Sequence, residues 1–351
     1  MSDVRVTIVV PARDAAGFLP ALLDGVARQD LGGLGAELLV VDNGSSDETA
    51  AVARAAGARV IREPTPGASA ARNAGARAAR GELVVFLDAD CVPRDGWLAS
   101  LVAVLDGRPD LGGAGGRIVA APPSTLLERY AERRGDVTQD AGLADPAGPW
   151  VLTANCAYRR DVLERLGGFE PALRSGEDVD LSWRMQHELG LGLAYAPGAV
   201  VEHRHRTSLG GLWRQWKRYG WGTVQLAQRY PREGVELPQA ASPARWAAAR
   251  ARALARALRL AAARRGDRLD LAEPFLDVFV RFAERVGRWE ARRFAEPLAP
   301  VAEAVVPPPL VVGAVAGADG SSTVTGASGG AVAPAALEPP PDPPPAAPPP
   351  A

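Results

Sequence analysis

The feature that most limits the possible folds is a repeated alternation in the first hundred residues. A short apolar run is followed by a polar cluster and then by a segment with helical spacing. Residues 6–10, 38–41, 59–61 and 83–87 form the apolar runs. They lack polar alternation, so they fit strands covered on both faces, as in a parallel sheet. Between them, residues 18–28, 47–56 and 68–79 have helical spacing, with Ser46 or Asp47 available as an N-cap. Strands alternating with helices imply parallel strands joined by crossover helices. Sheets of this kind bind ligands beyond the carboxyl ends of their strands. Those ends are polar here: Pro11, Ala12, Arg13 and Asp14 after the first run, Asp42, Asn43 and Gly44 after the second, Asp88, Ala89 and Asp90 after the fourth.

Several classes drop out at once. A dehydrogenase needs G-x-G-x-x-G after its first strand and a phosphate-cradling loop needs G-x-x-x-x-G-K-[ST]; neither occurs, and the single lysine is Lys217. With 40 basic and 41 acidic residues the net charge is −1, which provides no footprint for nucleic acid. Cys91 and Cys156 are too few for a disulfide framework, and no apolar leader follows Met1, so a reducing, cytoplasmic setting is expected. No uninterrupted apolar stretch is long enough to span a membrane.

The rest of the chain divides by pattern. Residues 112–150 are rich in Gly, Pro and charge, with one amphipathic turn around Leu126, Leu127 and Tyr130, and are expected to be mobile. A strand over 151–158 and helices over 160–166 and 178–189 follow. Beyond Pro231 the spacing is helical. Arg245, Arg252, Arg256 and Arg259 share one face, and a second helix carries Phe275, Phe279, Phe282, Val286 and Trp289 at steps of three and four. Ten of the 31 prolines lie between Pro334 and Pro350. Such a tail buries too little to offset chain entropy. The expected organisation is a catalytic unit over 1–230, a helical appendage over 231–300 and a disordered tail over 301–351.

Asp88 and Asp90 alternate in an extended segment, so both can face one divalent cation. Magnesium takes one or two carboxylates and completes its shell with water and substrate phosphates, so D-x-D at a strand end suits a metal-diphosphate ligand. Turn or helix-cap chemistry is the alternative. Asp42 can accept hydrogen bonds from a base or ribose, or cap the next helix; Arg72 can reach a phosphate, or form an ion pair of little energetic value.

Taken together, residues Val9-Val10-Pro11-Ala12-Arg13, Val41-Asp42-Asn43-Gly44-Ser45, Ala71-Arg72-Asn73-Ala74-Gly75 and Phe86-Leu87-Asp88-Ala89-Asp90 occur in the order and spacing of the family 2 glycosyltransferases. Gly167-Gly168-Phe169 and Gly176-Glu177-Asp178-Val179-Asp180-Leu181 look like that family's acceptor-side motifs. The resemblance covers about residues 4–225. It implies a GT-A fold, a mixed but mainly parallel α/β sheet with flanking helices, whose donor half is 1–110 and acceptor half 111–230. It implies an inverting transfer of sugar from a nucleotide-diphosphate donor, a UDP-sugar, to an acceptor hydroxyl. Pro11, Arg13, Asp42 and Arg72 would then line the donor site, and Asp88 and Asp90 would hold ribose and metal-diphosphate. Asp178 would be the general base with Glu177 in support.

His203 and His205 alternate, and either can add an imidazole to a Mn²⁺ or Mg²⁺ site; the resemblance favours His203. Gln215-Trp216-Lys217-Arg218-Tyr219 is similar to the Q-x-x-R-W motif of processive members, with tyrosine in the last place. Arg218 can then help hold the diphosphate and Trp216, or Trp213 or Trp221, can stack on a sugar, the alternative being that these aromatics are core of the helical segment. Asn155 is expected on the acceptor side. The acceptor is expected to be a lipid-linked sugar, a glycan or a small molecule of cell-envelope synthesis. The arginine face after residue 243 can dock on anionic lipid at the inner face of the membrane, or be the solvated face of a helix packed against the catalytic unit. Two other classes compete. A sugar-nucleotide pyrophosphorylase would need a G-x-G-x-R loop, absent here, and a scaffold would bind donor without releasing sugar.

Overall fold

The computed structural model describes residues 4–30, 33, 35–231, 248, 251–252, 254–255, 258–259, 267–299, 301 and 311–312. All four early apolar runs are strands: β1 (Val4–Ala12), β2 (Gly35–Asp42), β3 (Arg59–Arg62) and β4 (Leu83–Leu87). They are parallel neighbours in the order β3-β2-β1-β4, and α1 (Leu19–Ala27), α2 (Thr49–Ala55) and α3 (Ala68–Ala78) connect them. Val9, Val10, Leu39, Val40, Val84 and Phe86 are fully buried, as continuous apolar strands between two helical layers require. The α2 N-cap position is Glu48, without a side-chain bond; Asp47 instead accepts from the Thr49 and Ala16 amides, tying the loops after β2 and β1 together.

The sheet then continues through β5 (Cys91–Pro93), β6 (Leu111–Ala120), β7 (Asn155–Arg159), β8 (Gly192–His203) and β9 (Val311–Val312). Its order is β3-β2-β1-β4-β7-β6-β8-β5, with β9 also on β8. The β4–β7, β6–β7 and β5–β8 pairs are antiparallel and the others parallel. Helices α4 (Trp97–Leu105), α5 (Leu126–Arg134), α6 (Gln139–Leu143), α7 (Arg160–Leu166), α8 (Glu177–Leu189), α9 (Leu209–Arg229) and α10 (Arg268–Phe294) complete the described elements.

Residues 112–150 correct the expectation of mobility. Their first part is β6, buried between β7 and β8. The glycines are there for close packing: a Cβ on Gly113 would lie 2.8 Å from the Tyr158 ring, and one on Gly116 would lie 2.4 Å from the Ala199 carbonyl oxygen. Thr125 and Glu128 then form a reciprocal capping box that starts α5.

The last helix is present where its spacing placed it, but rotated. Leu269, Pro274, Leu276, Val280, Ala283, Gly287 and Ala291 are its buried residues, whereas Phe275, Phe282 and Trp289 point outward. The reason is backbone proximity to α9. A Cβ on Gly220 would fall 2.0 Å from Glu284 O, and one on Gly287 would fall 1.9 Å from Lys217 O. Only a small-residue stripe fits there, so Phe275, Phe282 and Trp289 face outward, while Phe279 turns in against Trp213, 5.4 Å between ring centroids. Of the arginine face after residue 243, only Arg252 and Arg259 are among the described residues; the proline-rich tail lies outside them. No helix among the described residues is long and apolar enough to cross a membrane.

Candidate active site

The ends of β1 and β4 open into a cavity of about 730 Å³ lined by Pro11, Arg13, Asn43, Arg72, Asp88 and Asp90. Asn43 apart, these come from the expected donor-site residues, and Glu177, Asp178, His203 and Arg218 line the same cavity.

Arg72 sits at the junction. It is 4% exposed, and its guanidinium donates to Asp88 at 2.7 Å and to Glu177 at 2.8 Å. It is therefore neither an exposed ion pair nor a free phosphate ligand, but a fork between two carboxylates. Its neighbour Asn73 closes the next joint: the amide side chain donates to Phe169 O and accepts from Phe169 N, both at 2.8 Å. Gly168, at φ +79°, and Gly75 are glycine for space as well, since a Cβ would lie 2.3 Å from Asn73 Oδ1 and 2.3 Å from Val9 Cγ1 respectively. The R-N-A-G and G-G-F motifs are thus two sides of one contact.

Burial pushes the Asp88 carboxyl up, but Arg72 beside it outweighs that and holds it below the usual carboxylate range. Asp178 behaves oppositely: burial first, and the Glu177 charge second, push it up to about 7 against the pull of Arg72. One member of the Glu-Asp pair is locked to an arginine, and the other can exchange a proton near neutrality. Asp180, two residues on, is fully buried and belongs to the framework, accepting from Arg184, Arg229 and the Tyr230 hydroxyl.

The antiparallel pairing of Cys91 with His203 brings the histidine beside Asp90, with Nε2 3.6 Å from its carboxylate. The Arg204 amide donates to Asp90 O and fixes the loop, and Arg206 stands 3.4 Å from the other carboxylate oxygen. His203 is buried, and its Nδ1 has no partner. His205 does not line the cavity; burial, then the neighbouring His203, lower its pKa to about 4. The placement therefore distinguishes two histidines that the sequence left open. Among the described residues no group of three or more His, Cys, Asp or Glu side chains is poised to hold an ion alone. Asp90 and His203, with Asp88 nearby, fit a hard cation whose shell a diphosphate completes.

Three expected residues are placed differently. Asp42 accepts from the Ser45 amide at 3.0 Å and lies outside the cavity lining, where Asn43 stands instead. Asn155 is corrected to a framework role. It is fully buried, accepts from Trp97 Nε1 at 2.7 Å and donates to the carbonyls of Arg117 and Ala199 at 2.9 and 2.8 Å. Those carbonyls flank the register shift between β6 and β8, so Asn155 satisfies backbone that the ladder leaves open. Trp216 is also corrected: it extends from α9 into the cluster formed with α5 and α10, under the Arg134 guanidinium, 4.8 Å from the ring centroid, and does not line the cavity. Sequence reasoning missed Gly135, Asp136, Thr138 and Trp150 on the cavity wall, which follow the capping box Thr125-x-x-Glu128 that could have signalled order there.

The family model described as glycosyl transferase family 2 matches residues 7–167. The pre-mycofactocin glycosyltransferase of Mycobacterium tuberculosis is 33% identical over 243 residues, 66% of this chain and 49% of that protein. The chain thus spans about half the length of that curated relative. Glycosyltransferase AglE of Haloferax volcanii is 30% identical over 230 residues, 63% of this chain and 73% of its own. Among solved structures, mannosyltransferase PcManGT of Pyrobaculum calidifontis, in complex with GDP-Man and Mn²⁺, has a similar fold with a TM-score of 0.56 at 22% identity, covering 81% of this chain and 87% of its own.

Proposed function

The chain belongs to the family 2 glycosyltransferases and has their GT-A fold, and from that premise we propose that it transfers a sugar from a nucleotide-diphosphate donor to an acceptor hydroxyl with inversion. The observation that carries this reading is the split Glu177–Asp178 pair, which leaves one carboxyl titrating near 7 in the cavity that also holds the D-x-D strand end, with Arg72 joining Glu177 to Asp88.

In this reading Pro11 and Arg13 bound the nucleoside and Arg218 approaches the diphosphate. Asp90 and His203, with Asp88, would hold Mn²⁺ or Mg²⁺, which when bound supplies positive charge to the departing diphosphate. Asp178 accepts the proton of the acceptor hydroxyl as its oxygen bonds to the anomeric carbon and the bond from that carbon to the diphosphate breaks. Glu177 and Arg72 hold the base in place. A carboxylate in this role contributes about 10² to 10⁴ in rate. The donor is a UDP-sugar and the acceptor a lipid-linked sugar, glycan or small molecule of the cell envelope, handled on the cytoplasmic side.

The test is a screen of UDP- and GDP-sugars for nucleoside diphosphate release, with and without manganese. Release that needs manganese and is lost in Asp178→Asn, while calorimetry still detects donor binding, is the expected outcome. Binding without release by the unaltered chain would make it a scaffold, and pyrophosphate-dependent formation of a nucleoside triphosphate would make it a pyrophosphorylase.

A further inference from the structure

Helix α10 carries its largest side chains on the side away from the protein. Phe275, Phe282 and Trp289 are 63%, 59% and 58% exposed, and Leu271 and Val278 beside them are 37% and 38% exposed. Their spacing follows a three-four repeat, which keeps all five on one stripe about 27 Å long. Single exposed apolar residues are ordinary, but a contiguous stripe marks a contact surface.

The charges around the stripe say what it contacts. Arg281, Arg285 and Arg292 are exposed along one edge, and Arg293 on the other stacks over Trp289, 6.0 Å from the ring centroid. None of these four makes an ion pair among the described residues. The acids of the same helix all serve internal contacts: Asp270 and Glu273 hold Arg133, Glu284 holds Arg288, Glu290 holds Lys217, and Asp277 accepts from Tyr130. The outward face is therefore aromatic and cationic, with no carboxylate on it.

We propose that this face docks on a bilayer surface containing anionic lipid, with the helix in the interface plane, its aromatics at the headgroup boundary and its arginines on lipid phosphates. A second copy of the chain is a poorer partner. Arg285 and Arg292 occupy positions of the same three-four repeat, so a symmetric pairing would press them against their counterparts with no acid to compensate. The placement also relates the surface to the cavity: α9 gives Gln215 and Arg218 to the cavity and packs against α10 through Lys217 and Gly220. This inference rests on the surface alone and does not depend on the proposed reaction.

Flotation of the full chain with vesicles of phosphatidylcholine, and with vesicles of equal parts phosphatidylcholine and phosphatidylglycerol, tests it. Partition into the anionic vesicles should be about tenfold stronger or more and should weaken in high salt. Phe275→Ser with Phe282→Ser should remove most of that partition, and Arg285→Glu with Arg292→Glu should reduce it to the neutral-lipid level. Both variants should keep the parent's cooperative melting transition and its circular dichroism spectrum, which separates loss of the surface from loss of the fold. The proposal is overturned by equal partition into both vesicles, by no partition into either, or by light scattering that detects a dimer dissolved by the same substitutions.

Discussion

Asp178 shows how one side chain's surroundings set its chemistry. Its carboxyl has an ordinary value of 3.8 and is pushed up to about 7 in the fold. Between those values the folded chain binds the proton that the unfolded chain has lost, so this residue's contribution to stability falls as pH rises from about 4 to about 7. Asp178→Asn removes the buried charge and should raise stability at pH 8 by on the order of 1 kcal/mol or more, with little change at pH 4. Melting curves of both proteins at the two pH values check this; identical curves at pH 8 would contradict the buried-charge account. In the proposed role of Asp178 as base, only the ionised carboxyl accepts a proton, so the parent's kcat/KM should fall as pH drops below about 7. Asp88 and Asp90 could be singled out from local sequence because a strand end positions them, whereas Asp178 was singled out only by the family resemblance. Asn155 was not legible, because its partner Ala199 O lies 44 residues away at a break in strand pairing. Asn155→Ala should therefore lower stability by about 2 to 4 kcal/mol. Chemical denaturation should register this loss, while acceptor KM stays unchanged.

Among the elements, β1 to β4 and their helices were readable from periodicity because each has a continuous apolar signature and pairs with neighbours close in sequence. β6 and β8 were not. β6 begins Leu111-Gly112-Gly113-Ala114-Gly115-Gly116, a composition that reads as loop until the Tyr158 ring and the Ala199 carbonyl that need the space are known. β8 is interrupted at Pro197-Gly198, where its register against β6 jumps from Ala196 to Val200. For α10, spacing identified the helix but not which face is buried, because aromatic and small-residue stripes have the same period. Gly287→Ala tests that rotation. Its new methyl would meet Lys217 O at 1.9 Å, and overpacking of this kind costs about 1 to 3 kcal/mol. Phe275→Ser, on the exposed stripe, should stay within about 0.5 kcal/mol of the parent. Urea midpoints of the two variants should differ in that order, and the reverse order would mean that the aromatic face is the packed one.

At the scale of the whole molecule, the two halves of the sheet meet where β4 pairs antiparallel with β7, and Arg72 spans the same junction above it. Asp88 comes from the first half and Glu177 from the second, so one guanidinium holds a carboxylate of each half in fixed relation. Breaking a fully buried pair costs about 3 to 5 kcal/mol, because the remaining charge is stranded. The side chains of Asp88 and Glu177 retain 30% and 16% exposure, so Arg72→Met should cost less, about 2 to 3 kcal/mol. Its larger consequence is mechanical: without the fork the two acids repel, and the proposed donor site and base separate. Glu177→Gln relieves that repulsion only when Arg72 is already gone. A double-mutant cycle of Arg72→Met and Glu177→Gln should therefore be non-additive by about 1 to 3 kcal/mol in urea unfolding. UDP affinity measured by calorimetry should fall in Arg72→Met and recover in part in the double variant. Additive energies with unchanged UDP affinity would mean that strand pairing alone aligns the halves and that Arg72 only fills space.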